Sequence, residues 1–168
     1  GFPWFNSISR QTFIALPGLR IAQSERRLAL EVLSTYLPHL KNGFFPDSIA
    51  DNYPVFHSPD ASLWFIWAMQ QFKMQGSRFR EFGHPFYLAI RQIIQSFRQG
   101  THFLGMLENG LLFAVEQGIA LTWMNAYSFG QPNVPRYGKP VELNALWYNA
   151  VCFALEMARM ERDYEFIE

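Results

Sequence analysis

Apolar residues recur at helical spacing along most of the chain, in segments bounded by capping residues, proline or glycine. The segment "SERRLALEVLSTYLPHLKNG" has Ser24 as a candidate N-cap and Gly43 just beyond its end. An earlier segment, "RQTFIALPGLRIAQ", keeps the spacing on both sides of Pro17, which should kink or break the helix. Three later segments begin at serine or proline: 58–76, 85–100 and 140 onward. The pattern therefore predicts five helices.

Two segments lack helical periodicity. Residues 41–57, "KNGFFPDSIADNYPVFH", are rich in Pro, Asp and Asn and are predicted to form a long loop. Within residues 101–137, Asn109 and Gly110 lie between two apolar runs and indicate a tight hairpin turn. The following "IALTWM" is predicted to be a strand that leaves this hairpin. Loops of this length in a compact helical domain are usually functional, and their aromatic content argues against disorder.

Composition narrows the function classes. The 168 residues suit a single domain, and 14 basic against 14 acidic residues show no bias toward nucleic acid or an anionic membrane. No apolar run approaches the roughly 20 residues of a membrane span. The aromatic fraction, 17%, is high, and for Phe an aromatic-rich core accounts for it. Trp and Tyr also pair a flat apolar face with a polar tip, which suits ligands such as sugars.

Cysteine and histidine indicate neither a disulfide nor a metal site. Cys152 is the single cysteine, and its helical context predicts a buried, inert thiol that is compatible with a reducing, cytoplasmic location. The four histidines lie far apart in sequence without metal-ligand spacing. We therefore expect no metal and no cofactor.

Polar side chains occupy helical faces where apolar ones would be expected. Arg10 and Arg136 are the cations nearest the two long loops. Such stripes suit a solvent-facing edge or a pocket wall, and a carboxylate in a first helical turn, such as Glu142, is also favoured by the helix dipole alone. One stripe on the helix after Ser58 contains Asp60, Trp64, Trp67 and Gln71. The other, after Pro140, contains Glu142, Leu146 and Asn149, beside Trp147.

Four motifs in order carry a resemblance to a known family: "SRQTFIALPGL", "PDASLWFIWA", "ENGLLFAVEQGIALTWMNA" and "RYGKPVELNALWYNA". Together they resemble the amylo-1,6-glucosidase domain of glycogen debranching enzymes, within the glucoamylase-like glycosidases. The resemblance implies an all-α fold, part of an (α/α)6 toroid of the six-hairpin glycosidase type, with a β-hairpin and long loops at the pocket end. Residues 1–168 would be a single domain and about the first half of that barrel, completed by its remaining half or by another chain.

The resemblance also implies inverting hydrolysis of the α-1,6-linked glucose at branch points of glycogen or a branched maltooligosaccharide, by one carboxylic acid and one carboxylate base. The family's acid follows Thr-Trp-Met, where this chain has Asn125, and the family's base lies beyond the last motif. An Arg-Asp pair that grips the terminal glucose in the family corresponds to Arg10 and Gln11. The substrate-binding candidates are Arg10, Gln11, Asp60, Trp64, Glu116, Trp123, Arg136, Lys139, Glu142 and Trp147.

The two acid-to-amide changes leave several explanations open: deliberate replacement, natural divergence with another acid such as Glu116 or Glu142, or a non-catalytic relative. Correspondingly, two other functions compete with hydrolysis, a glycan-binding pseudoenzyme and a structural helical domain. If the chain is half of a barrel, its first and last helices should leave apolar residues uncovered. Those residues would be Phe13, Ile14, Leu19, Val151, Phe153 and Leu155.

Overall fold

The computed structural model describes residues 7–22, 25–49, 54–74, 83–115 and 118–168. In this part of the chain the structure is mainly helical, with two small antiparallel sheets. The helices are α1 (Ser9–Leu16), α2 (Arg26–Tyr36), α3 (Pro59–Met74), α4 (Gly83–Gln99), α5 (Val141–Glu161) and α6 (Tyr164–Ile167). The strands are β1 (Leu104–Met106), β2 (Leu112–Ala114), β3 (Tyr127–Ser128) and β4 (Gln131–Pro132).

Pro17 interrupts the first helix as the sequence predicts, but the chain stays helical. The α-helical hydrogen bonds end at Leu16, and Pro17–Ile21 form a π-helical turn closed by the Ala22 N–H to the Pro17 carbonyl at 2.8 Å. A proline has no N–H to donate to the preceding turn, so the helix widens at this point. The other predicted helices are also confirmed, although the predicted boundaries at Ser24 and Gly76 lie outside the described residues.

Helices α1, α3 and α5 run in the same direction. The N-terminal Arg10 of α1 contacts the N-terminal Asp60 of α3, and Lys73, near the end of α3, pairs with Glu156 in the second half of α5. The first turns of α1, α3 and α5 therefore lie at one end of the molecule, which we call the N-terminal end of these helices.

Helices α2 and α4 run in the opposite direction. The Tyr36 hydroxyl at the end of α2 donates to Thr12 Oγ1 in the first half of α1 at 3.0 Å. Tyr87, near the start of α4, donates to Asp163, just beyond α5, at 2.6 Å. Successive long helices thus alternate in direction, as they do in stacked helical hairpins.

The core centres on α3, in which ten of the sixteen residues are buried, whereas α4 buries one face only. Four aromatic rings from different segments meet beside α3, with Phe13 in edge contact with its neighbours at centroid distances of 4.7–5.3 Å. These rings are Phe13, Tyr36, Phe45 and Phe65. Since Phe45 belongs to the 41–57 loop, this loop is anchored in the core.

The predicted hairpin is present, whereas the predicted strand is not. β1 pairs with β2 around Asn109 and Gly110, and Gly110 has the positive φ of 81° that such a turn requires. Residues 119–124, predicted to be a strand, have no strand structure. Ala120, Leu121 and Thr122 are all buried in succession, so this segment lacks the alternating faces of a paired strand.

Two predictions about burial need correction. Cys152 is exposed, because the buried stripe of α5 passes through Ala150 and Phe153 and leaves Cys152 on another face. Of the apolar residues expected to be uncovered, Ile14 and Leu19 are 40% and 60% exposed and Val151 and Leu155 are half-buried. Phe13 and Phe153 are fully packed, so for these two the prediction was wrong. None of the described helices is long and apolar enough to cross a bilayer.

Candidate functional site

Arg10 and Asp60 form a buried ion pair between the first turns of α1 and α3. Arg10 Nε and Nη2 donate to the two carboxylate oxygens of Asp60, each at 2.8 Å, and Nη2 also donates to Ser58 Oγ at 2.9 Å. Only 7% of Arg10 and 2% of Asp60 are exposed. Burial raises the pKa of Asp60, and the hydrogen bonds and charge of Arg10 offset part of that rise. Arg10 and Asp60 are therefore enclosed by the protein and not open to a ligand.

Two further candidates lie on the same helices. Gln11, which follows Arg10 on α1, is exposed. Trp64 is one turn beyond Asp60 on α3 and is half-buried, with its ring in edge contact with Trp67 at 5.3 Å. The predicted face of α3 therefore changes along the helix, from a buried carboxylate to two half-buried indoles.

A second ion pair lies at the start of α5, where Arg136 Nη2 donates to Glu142 Oε1. The two side chains keep 21% and 28% of their surface, so this pair is much less enclosed than Arg10–Asp60. Arg136 Nε is buried and has no hydrogen-bond partner among the described residues. Lys139, which precedes α5, is exposed. Glu142 sits in the first helical turn, where the helix dipole favours its negative charge.

An open cavity of about 340 Å³ surrounds Asn125. It is lined by residues 123–126 together with Asn133 and Val134. Trp123 is 56% exposed and Asn125 is also exposed, so an indole face and two amides are accessible to a ligand. The lining contains no carboxylate.

The predicted site residues are thus distributed over separate places. The lining of the Asn125 cavity does not include Arg10 or Asp60. Trp147 is only 5% exposed, and its indole N–H donates to the Gly110 carbonyl at 3.0 Å, so it joins α5 to the β1–β2 hairpin. Glu116 lies outside the described residues.

Asn144 is a site residue that sequence reasoning missed. Its side-chain oxygen accepts from the Leu112 N–H at 2.7 Å, and its nitrogen donates to the Leu112 carbonyl at 3.0 Å and the Pro140 carbonyl at 3.1 Å. Asn144 therefore joins β2 to the start of α5, and Gly138 adds a bridge to Ala114. The signal available in the sequence was the amide side chain of Asn144 in the first turn of α5, next to apolar Leu143.

A second missed feature shapes the loop that contains Asn125. The Tyr127 hydroxyl accepts the N–H of Ala120 at 2.8 Å, which folds the segment back on itself. β3 and β4 then form a short hairpin through Phe129 and Gly130, whose φ angles of 52° and 77° are those of a tight two-residue turn.

The described part of the chain thus combines a mainly helical fold with two short hairpins and an exposed loop around Asn125. The family described as amylo-alpha-1,6-glucosidase matches residues 1–167, so the chain belongs to that family. The resemblance to the corresponding domain of glycogen debranching enzymes is thereby confirmed. No curated protein matches the chain. Among the described residues there is no cluster of three or more side chains that could hold a metal ion.

Proposed function

We propose that this chain recognises the α-1,6-linked glucose at branch points of glycogen or a branched maltooligosaccharide. The observation that carries the proposal is the open cavity in which the exposed Trp123 indole lies beside the amides of Asn125 and Asn133. An indole face suits the apolar face of a sugar ring, and amides both donate to and accept from its hydroxyl groups. Family membership makes glucose the expected sugar.

Hydrolysis with inversion requires a carboxylic acid on one side of the glycosidic bond and a carboxylate that activates water on the other. Asn125 occupies the position of the family's acid and has no proton of useful acidity. A positioned general acid contributes about 10²–10⁴-fold to the rate. Glu142 is engaged with Arg136, and the base would come from outside these residues. Turnover would therefore depend on an acid and a base other than Asn125 and Glu142.

The same proposal includes the (α/α)6 toroid, of which this chain would form about half. It is supported by the parallel α1, α3 and α5 and the opposed α2 and α4, the pattern of an inner and an outer ring. The exposed Ile14 and Leu19 at α1 and the half-buried Val151 on α5 would pack against the remaining half or another chain.

A second candidate function is glycan binding without hydrolysis. It is favoured by the same cavity, because its lining combines a ring with amides and lacks any acid. Neutral amides still bind sugar hydroxyls, although more weakly than carboxylates do.

Replacing Asn125 by aspartate separates the two functions. We expect Asn125→Asp in the complete protein to increase glucose release from a branched maltooligosaccharide by about 10²-fold or more, because it supplies the missing proton donor. Asn133→Asp is the matched control, since it places a carboxylate in the same cavity away from the family's acid position. We expect no gain from it.

Glucose release and maltooligosaccharide binding are measured on the same preparations. Intact binding without any gain from Asn125→Asp would favour the binding-only candidate. An absence of saccharide binding in parent and variant would contradict both candidates and leave the structural helical domain.

A further inference from the structure

A second open cavity lies between the 41–44 turn, the end of α4 and the segment that leads to β1. Its volume of about 520 Å³ falls within the range of about 300–1,000 Å³ typical of small-molecule sites. We call it the α4 groove, and its walls include Lys41, Asn42, Phe56, Gln99, His102 and Phe103.

The walls of the α4 groove are held by close packing. Gly43 approaches α4 so closely that a Cβ at this position would lie 2.6 Å from the Ser96 Cβ, and its φ is +81°. Gly43 is therefore required by both space and conformation. On the other wall, Thr101 Oγ1 accepts the N–H groups of Phe103 and Leu104 at 3.3 and 3.0 Å. Local contacts therefore hold both walls of the groove in place.

Aromatic rings and neutral polar groups share the lining. Phe56 and Phe103 are half-buried, with Lys41 Nζ 5.9 Å from the Phe56 ring and the His102 ring 5.0 Å from that of Phe103. Asn42 and Gln99 are exposed, and their side chains have no hydrogen-bond partner among the described residues. This combination suits a ligand with apolar faces and hydroxyl edges.

The lining also argues against other ligands. It contains no Asp or Glu, so it offers neither acid–base catalysis nor carboxylate ligands for a hard cation. Gln99 and Gly100 form the C-terminal end of α4, where the helix dipole disfavours an anion despite the nearby Lys41. A neutral, hydroxyl-rich ligand remains the best fit.

The groove adjoins the buried network at the N-terminal end of α3. The His57 ring lies 5.4 Å from that of Phe103 in the groove wall, and the next residue, Ser58, accepts a hydrogen bond from Arg10. A chain bound in the groove would therefore lie close to the buried Arg10–Asp60 pair and to the first turn of α3.

From this arrangement we propose that the α4 groove is an accessory binding site for an α-1,4-linked glucan chain, separate from the Asn125 cavity. The proposal rests on the proposed function for its sugar. The groove holds part of the polymer while the Asn125 cavity receives the branch glucose, and it takes no part in bond cleavage.

The test uses maltoheptaose as the probe and calorimetry of the complete protein as the measurement. The double variant Gln99→Ala with His102→Ala removes two exposed polar side chains of the groove. We expect it to weaken maltoheptaose binding about tenfold, as the loss of two modest hydrogen bonds predicts, with an unchanged unfolding midpoint. The matched control is Gln92→Ala with His39→Ala, two exposed positions outside the groove lining, and it should bind as the parent does.

Trp123→Ala in the Asn125 cavity distinguishes the two proposals. If Trp123→Ala weakens maltoheptaose binding while the groove variant and its control bind as the parent, the accessory site is refuted and the proposed function survives. If the parent binds no maltoheptaose at millimolar concentration but binds a branched maltooligosaccharide, the accessory site is refuted and the proposed function survives. A tenfold loss of maltoheptaose affinity in the groove variant, with parent-like affinity in its matched control, supports the accessory site.

Discussion

Two ion pairs lie at the same end of the parallel helices and differ in how far the protein encloses them. Arg10 and Asp60 are buried and share two hydrogen bonds, and Arg10 also donates to Ser58. Arg136 and Glu142 keep about a quarter of their surface, at 21% and 28%, and follow the exposed loop that contains Asn125. The first pair joins two long helices through their first turns, whereas the second joins a loop residue to the first turn of one helix.

The difference in enclosure indicates which region fixes the packing of the helices and which is open to solvent. A buried guanidinium cannot lose its carboxylate without a large penalty, so Arg10 and Asp60 fix how α1 packs on α3. The Asn125 loop is held by fewer contacts, such as the Tyr127 hydroxyl to Ala120, and keeps its indole and amides accessible. Arg10 and Asp60 therefore belong to the packed helical framework, whereas the loop that contains Asn125 is the accessible region.

The largest expected effect is on the buried pair. Asp60→Ala should lower the free energy of unfolding by about 3–5 kcal/mol, because it leaves the Arg10 charge buried without its partner. Urea unfolding followed by circular dichroism measures the loss.

The double variant Arg10→Met with Asp60→Leu is the control for this prediction. It removes both charges and fills the space with apolar side chains, so it should be clearly more stable than Asp60→Ala. Equal destabilisation by the single and double variants would show that the charge pair is not the reason for the loss.

The next effect is on the joint between the hairpin and α5. Asn144→Ala should lower the free energy of unfolding by about 1–3 kcal/mol, because the Leu112 N–H and carbonyl lose their partner. Urea unfolding measures this loss too, and Ala145→Gly, at an exposed position of the same helix, shows the cost of a helix-propensity change alone. A loss no larger than that of Ala145→Gly would contradict the assigned role of Asn144.

A smaller effect is expected at the partly exposed pair of Arg136 and Glu142. Glu142→Gln should change the free energy of unfolding by only about 0–1 kcal/mol, because solvent screens the pair with Arg136. The urea midpoint at low and at moderate salt checks this, since the difference between Glu142→Gln and the parent should shrink as salt rises. A loss comparable to that of Asp60→Ala would remove the contrast between the two pairs.

The smallest effect concerns pH at the opposite end of the molecule. The hydrogen bond from Tyr87, together with Arg91, lowers the pKa of Asp163 below its usual value of 3.8. A lowered acid pKa in the folded state gives stability that is present above the unfolded value and lost as pH falls through the folded one. Thermal midpoints of the parent and Asp163→Asn should therefore converge below about pH 4. A difference that stays constant down to pH 2 would contradict this.

The helices were predictable because their signals are local. Apolar spacing, Pro59, Pro140 and Gly100 predict their order, and Pro17 predicts an interruption. The prediction of a strand at residues 119–124 was wrong because a strand needs a neighbouring strand to pair with, and the local sequence does not reveal one. Likewise, no local signal showed which side of α5 faces the core, and Cys152 was placed on the wrong one.

For the candidate site, the sequence motifs identified the family, and the match over residues 1–167 confirms it. That Asn125 stands at the position of the family's acid stays a prediction. They did not show that Arg10 binds Asp60, which is fifty positions further along the chain. Nor did they show that Asn144 binds the backbone of β2, because a hydrogen bond of this kind depends on where the hairpin is placed.

The sequence alone thus determined the helical segments and the hairpin turn at Gly110, since these follow from residue type and short-range spacing. The resemblance to the family adds the prediction that Asn125 stands at the position of the family's acid. Only the tertiary structure decided which charges are enclosed, which aromatic rings are accessible and where the α4 groove lies. Enclosure and access are properties of surfaces brought together from distant segments, and the α4 groove exists because the 41–44 turn packs against Ser96 through Gly43.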